Sequence, residues 1–204
     1  MNDVISHYDL LIDENNDPVY DAETLKSYMN KWDGQQFIDS LQLSKEKSVL
    51  EIGVGTGRLA VRVAPECRKF FGIDISPKTI QRAKENLKGH SNVTLICDDF
   101  MSYNSGRKFD VIYSSLTFMH IKDKQAAINK VKSLLNSGGR FVLSIDKNQS
   151  DTIDCGTRKI KIFPDRKDDI IRYINQSGMR LINVVEVEFA YVFATERQPD
   201  IKKV

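Results

Sequence analysis

The stretch of residues 49–60 reads Val49-Leu50-Glu51-Ile52-Gly53-Val54-Gly55-Thr56-Gly57-Arg58-Leu59-Ala60. Its apolar start, Val49, Leu50 and Ile52, has the composition of a strand buried in a parallel sheet. Glycines follow at alternate positions, and Leu59, Ala60, Val61 and Val63 then begin a helical pattern. A strand that ends in glycines and turns into a helix brings bare backbone close to a ligand. The helix start adds free amide N–H groups beside it. Glycine loops also serve plain turns, but two acids strengthen the ligand reading. Glu51 lies two residues before Gly53. A second apolar strand, Phe70-Phe71-Gly72-Ile73, ends at Asp74, 17 residues after Gly57. That spacing is close to the one that sets a carboxylate on a ribose diol in nucleotide-binding α/β folds.

The glycine pattern narrows the nucleotide. Dinucleotide folds use G-x-G-x-x-G, whose last gap serves pyrophosphate and helix packing. Here the run is G-V-G-T-G, with a carboxylate just before it. That charge would repel pyrophosphate and suit a ligand carrying an ammonium or a sulfonium. S-adenosylmethionine carries both, beside an adenosine. E-x-G-x-G-x-G followed by a strand ending in Asp closely resembles the class I S-adenosylmethionine-dependent methyltransferases, and the small-molecule branch is nearest. The resemblance covers residues 46–145 well and the rest in outline. It implies an α/β, doubly wound, Rossmann-like fold: a seven-stranded, mostly parallel sheet with an antiparallel last strand, here preceded by an N-terminal helical arm.

Composition agrees with a soluble globular chain. The 204 residues are 41% hydrophobic and 28% charged, enough for one domain with a sizeable core. We expect a single domain over 1–204, with an arm or lid at 1–45, a cofactor-binding core at 46–145 and the rest of the sheet at 146–204. A net charge of +2 gives no reason to expect nucleic acid or a membrane surface. No apolar run approaches a membrane span, and MNDVISHYDL has no signal-peptide pattern. Cys67, Cys97 and Cys155 lack metal spacing and read as reduced thiols of a cytoplasmic protein.

Along the chain, Tyr8–Ile12 is a short apolar patch before the turn-rich Asp13–Pro18. Helices are expected near Ala22–Lys31 and Gln35–Leu41. Tyr8, Tyr28 and Trp32 make the arm a candidate lid over the substrate; the alternative is that they only pack it onto the core. Ser76-Pro77 starts a helix that closes at Gly89. The third strand, Val93–Cys97, leads into Asp98-Asp99-Phe100. In the resembled family the acid after this strand accepts a bond from the adenine amine; Asp98 matches it, and the backbone N–H of Asp99 would meet the neighbouring ring nitrogen. One of these acids could instead only cap a turn.

The fourth strand, Phe109–Ser115, ends at Ser114-Ser115-Leu116, which should line the methionyl end of the cofactor at the topological switch point. Thr56, Ile75 and Phe100 are counted with the cofactor-binding residues Glu51, Gly53, Gly55, Gly57, Asp74, Asp98 and Asp99. His120 reads either as a general base or as a histidine bonded at a helix entrance. Asp123 caps the next helix, and Asn136-Ser137-Gly138-Gly139 is expected to end it. Arg140–Ile145 is the fifth strand and Asp151–Thr157 a patternless loop. Arg158–Phe163 reads as an exposed strand or hairpin arm, Asp165–Gln176 as a helix closed by Gly178, and Leu181–Ala190 and Tyr191–Glu196 as the last strands.

The amino-purine and amino-pyrimidine methyltransferases carry an N/D-P-P-Y/F run after the fourth strand, whereas this chain has Ser114-Ser115-Leu116-Thr117. No metal-binding set of acids is evident, so no metal is expected. The resemblance therefore implies methyl transfer from S-adenosyl-L-methionine to a small-molecule acceptor by in-line displacement, in a monomer or homodimer. Protein or RNA methylation, and cofactor binding without catalysis, remain the alternatives.

Overall fold

A computed structural model describes residues 2–155 and 158–199. Gly156 and Thr157 of the expected loop, and the end of the C-terminal tail, lie outside the described residues.

Three helices come first: α1 (Asn2–Asp13), α2 (Glu23–Asp33) and α3 (Gln35–Leu41). Then β1 (Ser48–Ile52), the short α4 (Ala60–Val63), β2 (Lys69–Asp74), α5 (Pro77–Asn86) and β3 (Val93–Cys97) alternate. They are followed by β4 (Phe109–Ser115), α6 (Lys124–Leu134) and β5 (Leu135–Asp146). A small hairpin, β6 (Thr152–Asp154) with β7 (Lys159–Lys161), leads to α7 (Lys167–Ser177), β8 (Met179–Glu186) and β9 (Ala190–Arg197).

The main sheet runs β3-β2-β1-β4-β5-β9-β8. The strands β3 to β5 are mutually parallel, and β9 is antiparallel to both β5 and β8. So one strand is reversed, and it is the last in sequence. The order changes direction between β1 and β4, which opens a crevice beyond their carboxyl ends.

All five residues of β1 are buried, as a central parallel strand requires. Successive residues serve opposite faces. Leu50, Phe71, Ile112 and Phe141 pack with Ile128, Val131, Ile170 and Ile174 of α6 and α7. Val49, Phe70, Val111 and Val142 pack with Phe37 and Leu41 of α3, Val63 of α4 and Ile80 of α5. Phe37 and Leu41 are fully buried, so α3 belongs to the core and not to an arm.

Four local features differ from the sequence reading. The patch around Tyr8 is the helix α1, and Thr152–Asp154 of the expected loop is a strand paired with β7. The helix after the glycines is a single turn, so it presents no long dipole to a ligand. Asn136–Gly139 does not end a helix. α6 stops at Leu134 and Leu135 is already extended. Between Phe109↔Leu135 and Val111↔Arg140 the pairing advances two residues on β4 against five on β5. The glycines take up this bulge, with Gly138 at φ 73. No helix among the described residues is long and apolar enough to cross a membrane.

Candidate active site

The carboxyl ends of β1, β2 and β4, the turn after β3 and helix α1 enclose a cavity of about 610 Å3. Gly53 and Gly55 show why this loop needs glycine. Both have positive φ, 77 and 56. A Cβ on Gly53 would stand 2.0 Å from Thr117 Oγ1, whereas one on Gly55 would meet nothing within 4 Å. Gly53 therefore lets the β4 turn close in, and Gly55 leaves a backbone cradle that a ligand can fill.

Asp74 ends β2 in this wall. Its Oδ2 accepts from Gly55 N at 3.0 Å and its Oδ1 from Ser76 N at 3.0 Å. Burial raises its pKa against those donors. The carboxylate is thus fixed in place with lone pairs left over for a diol. Glu51 is 3% exposed and accepts from Tyr113 Oη at 2.8 Å. Burial holds its pKa well above the usual carboxylate range. A buried acid beside a glycine cradle favours a cationic ligand group, which would restore its charge balance.

Ile75, Asp98, Asp99, Phe100, Ser115 and Leu116 also line this cavity. The two acids after β3 are already engaged locally: Asp98 Oδ1 accepts from Asp99 N at 2.8 Å, and Asp99 Oδ1 from Met101 N at 3.0 Å. The Asp99 N–H expected to meet adenine is therefore held by its neighbour's carboxylate. Thr56, Gly57 and Ser114 are not in the lining. Ser114 is fully buried and donates to Ile52 O at 2.9 Å. It shares the inner face with Ile112, one residue out of step with Ser115.

A second cavity, about 640 Å3, adjoins the first. Tyr8, Met29 and Leu116 line both. Leu116 has φ 55, a left-handed conformation that costs a branched side chain about 1–2 kcal/mol. Trp32 lines the second cavity only. Tyr28 lines neither; it is 47% exposed and packs edge-on against Trp32 and Phe189.

His120 lines the first cavity, and its Nε2 shares a 2.8 Å hydrogen bond with Tyr8 Oη. Its Nδ1 is buried with no partner. Burial, with lesser repulsion from His7 and Lys124, lowers its pKa to about 4. That shift favours the neutral imidazole, and its bonded partner is the Tyr8 hydroxyl, whose pKa burial raises.

One site feature has no local sequence signal. Asp33, fully buried at the end of α2, takes both terminal nitrogens of Arg58 from the glycine loop and the Ser115 hydroxyl from β4. The pair is 25 residues apart, so no motif spacing reveals it. Among the described residues no group of three or more His, Cys, Asp or Glu could hold a metal.

Residues 43–165 match a family model described as a methyltransferase domain. The chain belongs to the class I S-adenosylmethionine-dependent methyltransferases. It is 34% identical, over 108 residues, to a malonyl-[acyl-carrier protein] O-methyltransferase 1 of Ilyobacter polytropus, covering 52% of this chain and 40% of that one. The chain spans about half the length of the curated relatives it matches. A Clostridium acetobutylicum S-adenosylmethionine-dependent methyltransferase superposes with a TM-score of 0.69 at 16% identity, over 97% of this chain and 98% of that one. The N-methyltransferase NodS of Bradyrhizobium japonicum, solved with S-adenosyl-L-homocysteine, gives 0.64 at 19% identity over 90% and 100%. At those identities the likeness is one of fold. The cofactor of the family is S-adenosylmethionine, and the glycine cradle, Glu51 and Asp74 suit its ammonium, sulfonium and ribose.

Proposed function

We propose that this chain transfers a methyl group from S-adenosylmethionine, held in the first cavity, to a small-molecule acceptor in the second. The observation that carries the reading is the shared wall: Tyr8, Met29 and Leu116 face both cavities. A transfer by direct displacement needs donor and acceptor in line across one boundary, and most of the rate follows from that placement.

S-adenosylmethionine, when bound, supplies a methyl carbon on a sulfonium; as an acceptor lone pair bonds to that carbon, the C–S electron pair stays on sulfur. The chain's residues position and exclude water. Asp74 would hold the ribose hydroxyls, Glu51 would balance the cationic end, and the Gly55 backbone would lie against the ligand. Asp98 and Phe100 would face the adenine. Tyr8, oriented by His120, would hydrogen-bond the acceptor, while Met29 and Leu116 keep the boundary dry.

The Ilyobacter relative's name gives a malonyl group on a carrier protein as acceptor, and a carboxylate acceptor is the second reading. Incubation with methyl-labelled S-adenosylmethionine and fractionated metabolites tests the proposal. It expects label in a small organic molecule with equal release of S-adenosylhomocysteine. Label only in protein or RNA, or cofactor binding with no transfer to any fraction, would contradict it.

A further inference from the structure

The charge around the second cavity specifies its occupant. Its wall carries Asp146, Asp154 and Asp165 and no Lys, Arg or His. Two of the three acids are already balanced. Asp165 pairs with the buried Lys124 at 2.8 Å, and Asp154 with Lys159 at 2.9 Å. Asp146, at the carboxyl end of β5, is different. Its Oδ1 accepts only the backbone N–H of Asn148, at 2.7 Å, and no ion pair reaches it among the described residues. The nearest lysine in sequence, Lys147, is turned to Glu186 and to the carbonyls of Val187 and Glu188. The cavity therefore holds one uncompensated negative charge. The rest of the wall is mixed: Met29, Trp32 and Met119 give it an apolar side, and Asn148, Ser150 and Thr152 a polar one. Its volume is that of a small-molecule site.

Resting on the methyl-transfer reading above, we propose that the acceptor is a small monoamine with an apolar, aromatic-sized body, recognised as its ammonium by Asp146. A carboxylate there would face the charge of Asp146 with no Lys, Arg or His in the wall to meet it. An ammonium held by Asp146 has no lone pair to offer, so it anchors the acceptor while another atom of the molecule faces the methyl group. The apolar body would lie against Trp32, Met29 and Met119, where aromatic and thioether surfaces favour it.

The test uses the full chain saturated with S-adenosylhomocysteine and two probes that share a phenylethyl body and carry opposite charge, 2-phenylethylamine and 3-phenylpropanoate. Binding is followed by ligand-observed NMR and calorimetry, for the wild type and Asp146→Asn. The amide keeps an acceptor for Asn148 N and removes only the charge. The expected result is at least a 10-fold preference for the amine, and its loss by about 10- to 100-fold in Asp146→Asn with S-adenosylhomocysteine affinity unchanged. Equal binding of both probes, binding of neither, preference for the carboxylate, or an unaltered amine affinity in Asp146→Asn would overturn the assignment. Failure to bind S-adenosylhomocysteine at all would instead overturn the cofactor reading on which it rests.

Discussion

Single side chains carry opposite demands at this site. Glu51 is buried before any ligand arrives, and its raised pKa has a definite consequence. A carboxyl with a higher pKa in the fold than in the unfolded chain favours folding below its unfolded value and opposes it as pH rises through the folded one. Glu51→Gln should therefore raise the melting temperature of the ligand-free protein at neutral pH, while weakening S-adenosylhomocysteine binding; calorimetry and thermal unfolding read the two effects. His120 works the other way. Its pKa falls from 6.5 to about 4, so it contributes stability above about pH 6.5 that is lost progressively as pH falls toward 4. The melting temperature should decline across that window, and His120→Gln should decline less. For Asp74→Ala, two hydroxyls each lose a charged acceptor worth about 1.5–3 kcal/mol. Titration with S-adenosylhomocysteine should show a loss on the order of 100-fold or more. Wild-type affinity in this variant would mean that Asp74 only braces Gly55 and Ser76.

At the scale of elements, the N-terminal residues divide into two kinds. α3 is core, whereas α1 is half-buried and tied down by several polar contacts. Asp9 accepts from Ser76 Oγ at 2.7 Å, Asp13 pairs with Lys78 at 2.6 Å, and Glu14 with Arg158 at 2.5 Å. Exposed ion pairs of this kind contribute little each and weaken in salt. We expect the amides of residues 2–13 to exchange faster than those of α3, faster still at high salt, and more slowly with S-adenosylhomocysteine; equal rates in all three conditions would make α1 fixed packing. Between these parts sits the Asp33–Arg58 pair, with side chains 0% and 20% exposed. Asp33→Ala strands a buried guanidinium, which costs about 3–5 kcal/mol. Denaturant melts of Asp33→Ala, Arg58→Ala and the double variant should show strong coupling, with the double variant more stable than Asp33→Ala.

Across the whole molecule, what could be read from sequence was what is local. β1 runs straight into its glycines, and the acid ending β2 is followed at once by the Ser76 cap, so each signal sits in one short stretch of backbone. Other features depend on partners far away in sequence. α1 was unreadable as a helix because its polar face is satisfied by α5 and by Arg158, far away in sequence. Asp33 gave no sign because its partner Arg58 is brought to it only by the fold. The glycines after α6 carry turn chemistry that serves a helix end or a bulge equally, and the β4–β5 register decides between them. Ser114 and Ser115 differ only in the face of the strand they occupy. The two-cavity arrangement, and with it the charge at Asp146, exists only once α1, α2 and the β6–β7 hairpin close over the sheet. We expect the glycine cradle, Glu51 and Asp74 to take an adenosyl amino acid and not a dinucleotide. Isothermal titration of the full chain with S-adenosylhomocysteine and, separately, with NAD tests this most directly. Saturable binding of one S-adenosylhomocysteine per chain and no heat from NAD is expected; NAD binding with no response to S-adenosylhomocysteine would overturn this reading of the site.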